Sequence, residues 1–258
     1  MDSMTLQLTT ALVDGSRRVL TRTGAVLLVL LLGLQTLLVT SLNTVLAAEL
    51  PSAAADVIGL TLPVSGPVAG AILVGTTLSN AVYFVVLSRA LARPLPELAS
   101  FPAALYTRRM GRASLTMLVA GVVSFLAIMV GFALLFLPGL FLSACLLFVV
   151  FAVGVEDRGV LGALKRSWQL SKGNRLRLGV IVFLTGVGGA LVGVVPGLFQ
   201  LAGAAAAGDL ATIGLNSVLF TFVYSIVADA YRQLTDDTTA VGGGGTATTA
   251  GTDRTPEL

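Results

Sequence analysis

Six stretches of this chain, at residues 24–46, 67–88, 114–137, 140–155, 178–195 and 210–228, contain no Asp, Glu, Lys or Arg. About 20 such residues, each rising 1.5 Å in a helix, cross the hydrocarbon core of a bilayer. The expectation is an all-α fold, a polytopic membrane protein of six transmembrane helices with interfacial amphipathic helices beside them. Residues 1–232 form the membrane domain, and 233–258 a disordered tail.

The sixteen Lys and Arg residues set the orientation. All of them fall in the connections and tails of one side. The connections of the other side, such as 47–66 with Glu49 and Asp56, hold none. Basic segments stay cytoplasmic. This places the chain in the plasma membrane as a multi-pass protein with both termini in the cytoplasm. Residues 3–22 read as a short helix in the inner interface, with Arg17, Arg18 and Arg22 on its open surface, or as a frayed terminus. A signal-peptide reading of the first span, with cleavage after Ala47, conflicts with an apolar run longer than the usual 7–15 residues or so of a signal core.

Pro138-Gly139 is expected to end the third span and Pro196-Gly197 the fifth, because Pro disfavours helix at the residue before it and Gly permits a turn. The two segments Leu137–Phe141 and Val195–Phe199 echo one another as Leu/Val-Pro-Gly-Leu-Phe. Three hairpins joined on the outside follow, either as an internal repeat or because Pro-Gly is a common way to end a span. Small residues at four-residue spacing, Gly66-Gly70, Ala71-Gly75-Ser79 and Gly189-Gly193, allow close helix approach. After Arg232 the Thr/Gly/Asp-rich composition cannot bury a core.

Only 11% of the residues are charged, under half the roughly 25% of a soluble domain. There is no histidine, so the commonest general base and metal ligand is missing. Cys145, the single cysteine, has no disulfide partner and reads as a small core residue. No nucleophile–base pair, metal cluster or phosphate loop is visible. The glycines at 186–189 and 242–245 lack the strand-to-helix context of a nucleotide site. The reading is a protein that is not an enzyme, has no metal or cofactor, and binds no nucleic acid. Its expected partners are membrane lipids, through anionic headgroups at the basic face.

The connection from Glu156 to Arg177 is basic and amphipathic. Val160, Leu161, Leu164 and Trp168 recur on one helical face, and Gly173 suits a left-handed C-terminal cap. Glu156 and Asp157 stand where a helix N-terminus favours negative charge. Anchoring in the membrane plane is the plain reading. Lipid or partner binding through Lys165, Arg166, Trp168 and Lys172 is the sharper one. Residues 137–174 resemble the membrane domain of the glycerophosphodiester phosphodiesterase family, in particular its stand-alone archaeal relatives. The shared pattern is carried by Pro138, Gly139, Glu156, Ala163, Leu164, Ser167, Trp168, Leu170 and Gly173. The resemblance implies a multi-span helical domain without catalysis, since the phosphodiesterase activity of that family belongs to a separate soluble domain. Frequent Arg over Lys and an acidic tail fit a halophile.

Polar residues inside spans are the remaining candidates. Gln35 and Asn80 lie at comparable depth in consecutive spans and are expected to pair. Asn216 lies near the centre of the sixth span. Asp229 and Arg232 are expected to form a local ion pair at i, i+3. The function read from the sequence is a non-catalytic scaffold or accessory protein holding lipids or partners on its basic face; the alternative is a permease or lipid-handling protein for a neutral or lipid-like molecule, lined by Gln35, Asn80 and Asn216. Paired amides would favour the first, and amides facing a cavity the second.

Overall fold

The computed structural model describes residues 17–50 and 58–243, with side chains to Asp236. Six helices are long and apolar enough to cross a membrane. Helix α1, Arg22–Glu49, begins at Thr21, whose hydroxyl accepts the Gly24 N–H at 3.1 Å. Helix α2, Gly66–Leu91, carries Pro67 in its first turn, where no helical acceptor needs its missing N–H. A 3-10 turn at Leu95–Ala99 and the short α3, Ala104–Thr107, lead to α4, Met110–Leu134. The fourth span is built from two pieces, α5, Phe136–Leu146, and α6, Val149–Gly154. Then follow α7, Val160–Ser171, α8, Arg175–Leu201, and α9, Ala205–Gly243.

The spans pack as three consecutive hairpins, α1/α2, α4/α5 and α8/α9, with α2 also against α4 and α6, and α1 against α9. All three turn at the end away from the basic residues, hereafter the opposite end. The main apolar core lies toward the basic end. There Leu27, Leu87, Leu91, Phe148, Phe151 and Tyr231 come together. Phe151 stacks on Tyr231 with centroids 5.1 Å apart. The outward sides of α4 and α8 stay bare of protein, with Phe125 61% and Leu191 68% exposed. Such faces meet lipid tails, which are as apolar as they are.

Several expectations change. The third span ends at Leu135, whose extended φ of −161° interrupts the helix, and not at Pro138-Gly139. Pro138 and Gly139 lie in the first turn of α5 because a proline is tolerated there. Gly139 is where the hairpin closes. A side chain at that position would strike the Phe132 ring, and one at Gly131 would strike Gly139 itself. The fifth span does not end at Pro196 either; α8 runs through it to Leu201. The two Pro-Gly segments therefore sit at unlike places, one opening the second helix of a hairpin and one near the end of a first helix. Gly66 does approach Ala48 closely, but Gly70, Gly75, Gly189 and Gly193 face open space. Helix α9 continues past Arg232 to Gly243, so 233–243 is helical; residues 244–258 lie outside the described residues. So do residues 3–16 of the expected interfacial helix.

Candidate functional site

At the basic end, arginines satisfy the carbonyls that helices leave unpaired. Arg18 is 1% exposed and donates to the carbonyls of Leu91 at 2.9 Å and Arg93 at 2.8 Å, beyond the last turn of α2. It also reaches Asp229 of α9 at 3.4 Å. Arg18 is thus buried, and not on an open interfacial surface as expected. Asp229 pairs with Arg18 and accepts from Gln233 at 2.8 Å, while Arg232 turns to the Arg93 carbonyl. In place of the expected Asp229–Arg232 pair, Asp229 takes the buried guanidinium of Arg18, and the half-buried Arg232 is engaged by the Arg93 carbonyl.

The turn between α6 and α7 ties the rest of this end together. Asp157, with φ +51°, holds Arg89 at 3.1 Å and Arg108 at 2.8 Å. Arg89 also donates to the Gly154 carbonyl at 2.8 Å. Glu156 accepts from Arg166 at 2.9 Å, from the Tyr231 hydroxyl at 2.8 Å and from Arg158. Burial pushes the Glu156 carboxyl up, but the hydrogen bonds from Arg166, Arg158 and Tyr231 outweigh it and hold the group below its ordinary value. Glu156 and Asp157 do not cap α7, whose N-cap is Gly159. They serve as ion-pair centres.

The motif residues act mainly on the interrupted fourth span. Between α5 and α6 the helical ladder breaks at Leu147-Phe148. Ser167, fully buried, donates to the Cys145 carbonyl at 2.8 Å and accepts the Phe148 N–H at 3.1 Å. One hydroxyl thus pairs both groups the break leaves free. Ala163 and Leu170 are buried with it, and Leu164 packs half-buried beside Val149 and Val153. Gly173 has φ +92°, the left-handed cap the sequence predicts. Leu161, 82% exposed, and Trp168 do not share the packed face. Trp168 meets Phe141 edge-on at 5.6 Å and lies under the Arg175 guanidinium at 4.7 Å. Lys165 and Lys172 are exposed beside Trp168, whereas Arg166 is drawn in by Glu156.

At the opposite end, Asp209, at the start of α9, accepts from the Leu60 N–H at 2.8 Å and from Asn43 at 2.9 Å. Asn43 also donates to the Leu60 carbonyl at 3.0 Å. Sequence reasoning missed this cluster. The only signal for it was one acid opposite one amide at the same end of two spans far apart in sequence.

A cavity of about 820 Å³ lies within the spans, between α4, α5, α8 and α9. Its walls are almost wholly apolar, with Phe132, Leu140, Leu147, Val182 and Leu219 among them. Asn216 and Ser124 line it. Gln35 and Asn80 do not; both are half-buried and no hydrogen bond joins them. Their expected amide contact is not among the hydrogen bonds of the described residues. Helices α4 and α8 flank the cavity without packing on each other. Lining residues Phe125 and Phe183 are exposed at that gap, so the cavity opens sideways, toward the lipid.

Residues 6–234 match a family described as a domain of unknown function, DUF7847. The chain belongs to this family. No curated protein and no solved structure matches it.

Proposed function

We propose that this chain is a non-catalytic integral membrane protein that takes a lipid-like molecule from the bilayer into the cavity between α4, α5, α8 and α9. The cavity carries this reading. Its volume of about 820 Å³ falls in the ~300–1,000 Å³ range of ligand sites, and it opens to the side from which a lipid would enter. A scaffold that only held its helices together would fill such a volume with side chains. The scaffold read from the sequence gives way here to its lipid-handling alternative, because Asn216 lines a cavity and Gln35 and Asn80 do not seal the bundle by pairing.

The absence of any ionisable acid or base other than Tyr224 among the described lining residues supports a non-catalytic role. The exposed group of Lys165, Trp168 and Lys172 supports contact of α7 with anionic headgroups, and the basic end facing the cytoplasm.

The test is extraction of the native protein and of Gly189→Phe in native lipid patches, followed by mass spectrometry of the lipids. Gly189 lines the cavity and faces open space, so a phenyl ring there occupies the site. One lipid class should be enriched over the bulk membrane with the native protein, and that enrichment should vanish in the variant. Bulk composition in both samples would sink the proposal.

A further inference from the structure

We infer that the occupant is a long-chain lipid whose polar part is uncharged and hydrogen-bonding, a hydroxyl or carbonyl such as an isoprenoid alcohol or quinone carries, and that Asn216 holds that part. The inference rests on the cavity being a lipid site and names what kind of lipid it takes.

Apart from the Tyr224 phenol, the polar side chains of the cavity fall into two groups. Thr185 and Ser143 spend their hydroxyls on their own helices, donating to the carbonyls of Ile181 at 2.8 Å and Gly139 at 2.9 Å. Such back-bonded hydroxyls are the ordinary way to keep a polar atom in an apolar helix. Ser124 does not do this, although a carbonyl one turn back is available in principle. Its Oγ is buried and has no hydrogen-bond partner. The Asn216 amide, with two donors and one acceptor oxygen, likewise makes no hydrogen bond with a described residue. Both lie well inside their spans, Ser124 near the middle of Met110–Leu134 and Asn216 between Asp209 and Asp229.

An amide held in a water-free apolar space is costly unless something pairs with it. Water fits poorly, because a buried water needs two to four polar partners and these walls are nearly all apolar. A ligand group that both accepts and donates, or accepts alone, fits the amide. A charged headgroup does not. Among the described lining residues there is no Lys or Arg to compensate a phosphate and no carboxylate to compensate an amine. Chain and head must therefore share the cavity as an apolar tail with a neutral polar group.

The probe is geranylgeraniol carrying a diazirine, photo-crosslinked to the full chain in nanodiscs. The competitors are decylubiquinone, geranylgeranyl phosphate and the hydrocarbon phytane. Labelling should saturate, map to α4 or α9, and be displaced by the alcohol or the quinone. Phytane and the phosphate should compete about tenfold more weakly, the loss of one good hydrogen-bonded contact. Asn216→Leu, close in shape to the amide, should weaken the probe to a similar degree, with the unfolding temperature kept. If Asn216→Leu does not fold, the competitor series decides. Equal competition by phytane with no effect of Asn216→Leu overturns this inference and leaves the lipid site standing. Best competition by the phosphate also overturns it. No saturable labelling, with Gly189→Phe indistinguishable from the native chain, removes the lipid site as well.

Discussion

Arg18 and Asp229, 211 residues apart in the chain, form a buried ion pair at 3.4 Å that joins the segment before α1 to the far end of α9. Arg18 holds the Leu91 and Arg93 carbonyls with the same side chain, so one guanidinium fastens three spans at the basic end. Removing one partner of a buried pair leaves the other charge unpaired. Asp229→Leu should lower stability by about 3–5 kcal/mol. Arg18→Met with Asp229→Leu should recover only part of this, because the Leu91 carbonyl loses its guanidinium donor. Thermal unfolding in one detergent checks both, and an Asp229→Leu chain as stable as the native one would refute the clamp.

Ser167 offers a second test, because its effect is carried by hydrogen bonds alone. Ser167→Ala leaves the Cys145 carbonyl and the Phe148 N–H unpaired where the fourth span breaks. A loss of about 1–3 kcal/mol is expected. Hydrogen exchange should quicken at Phe148 while α1 stays protected. Uniform exchange across the molecule would argue that the break does not depend on Ser167.

The pH dependence follows from Glu156. Its carboxyl is held below its ordinary 4.5 because three donors outweigh the cost of burial. A depressed folded pKa adds stability that is fully present above the unfolded value and lost as pH falls toward the folded one. Unfolding temperature should therefore hold from neutrality to about 4.5 and drop below it. Glu156→Gln should be less stable at neutral pH and should show a shallower acid decline. An unchanged acid limb would place the sensitivity elsewhere.

Glycines separate by what faces them. Gly139→Ala presses into Phe132 and Gly131→Ala into Gly139 and Leu142 across the hairpin, and each should cost about 1–3 kcal/mol through overpacking. Gly70→Ala and Gly75→Ala meet open space and should be neutral or stabilising by up to about 1 kcal/mol through helix propensity. Equal effects in the two groups would contradict the hairpin geometry.

Sequence by itself determined the number of spans, their hairpin order and their all-helical character. Those depend on local quantities: run length, missing charge, and turn residues such as Gly173, whose left-handed φ glycine adopts without the steric cost of a Cβ. It also marked the motif around Ser167 as special without revealing the broken helix it repairs. Span ends were less legible. Pro138 looks the same whether it stops one helix or starts the next, and only the contact of Gly139 with Phe132 decides. Partner choice was not legible at all. Asp229 pairs with Arg18 rather than Arg232, and Gln35 and Asn80 stay apart, because such contacts depend on which spans neighbour one another and how each is rotated about its axis. The cavity that holds Asn216 and Ser124 belongs to the same class. It is a space left between α4 and α8, and a space has no residues of its own to be read.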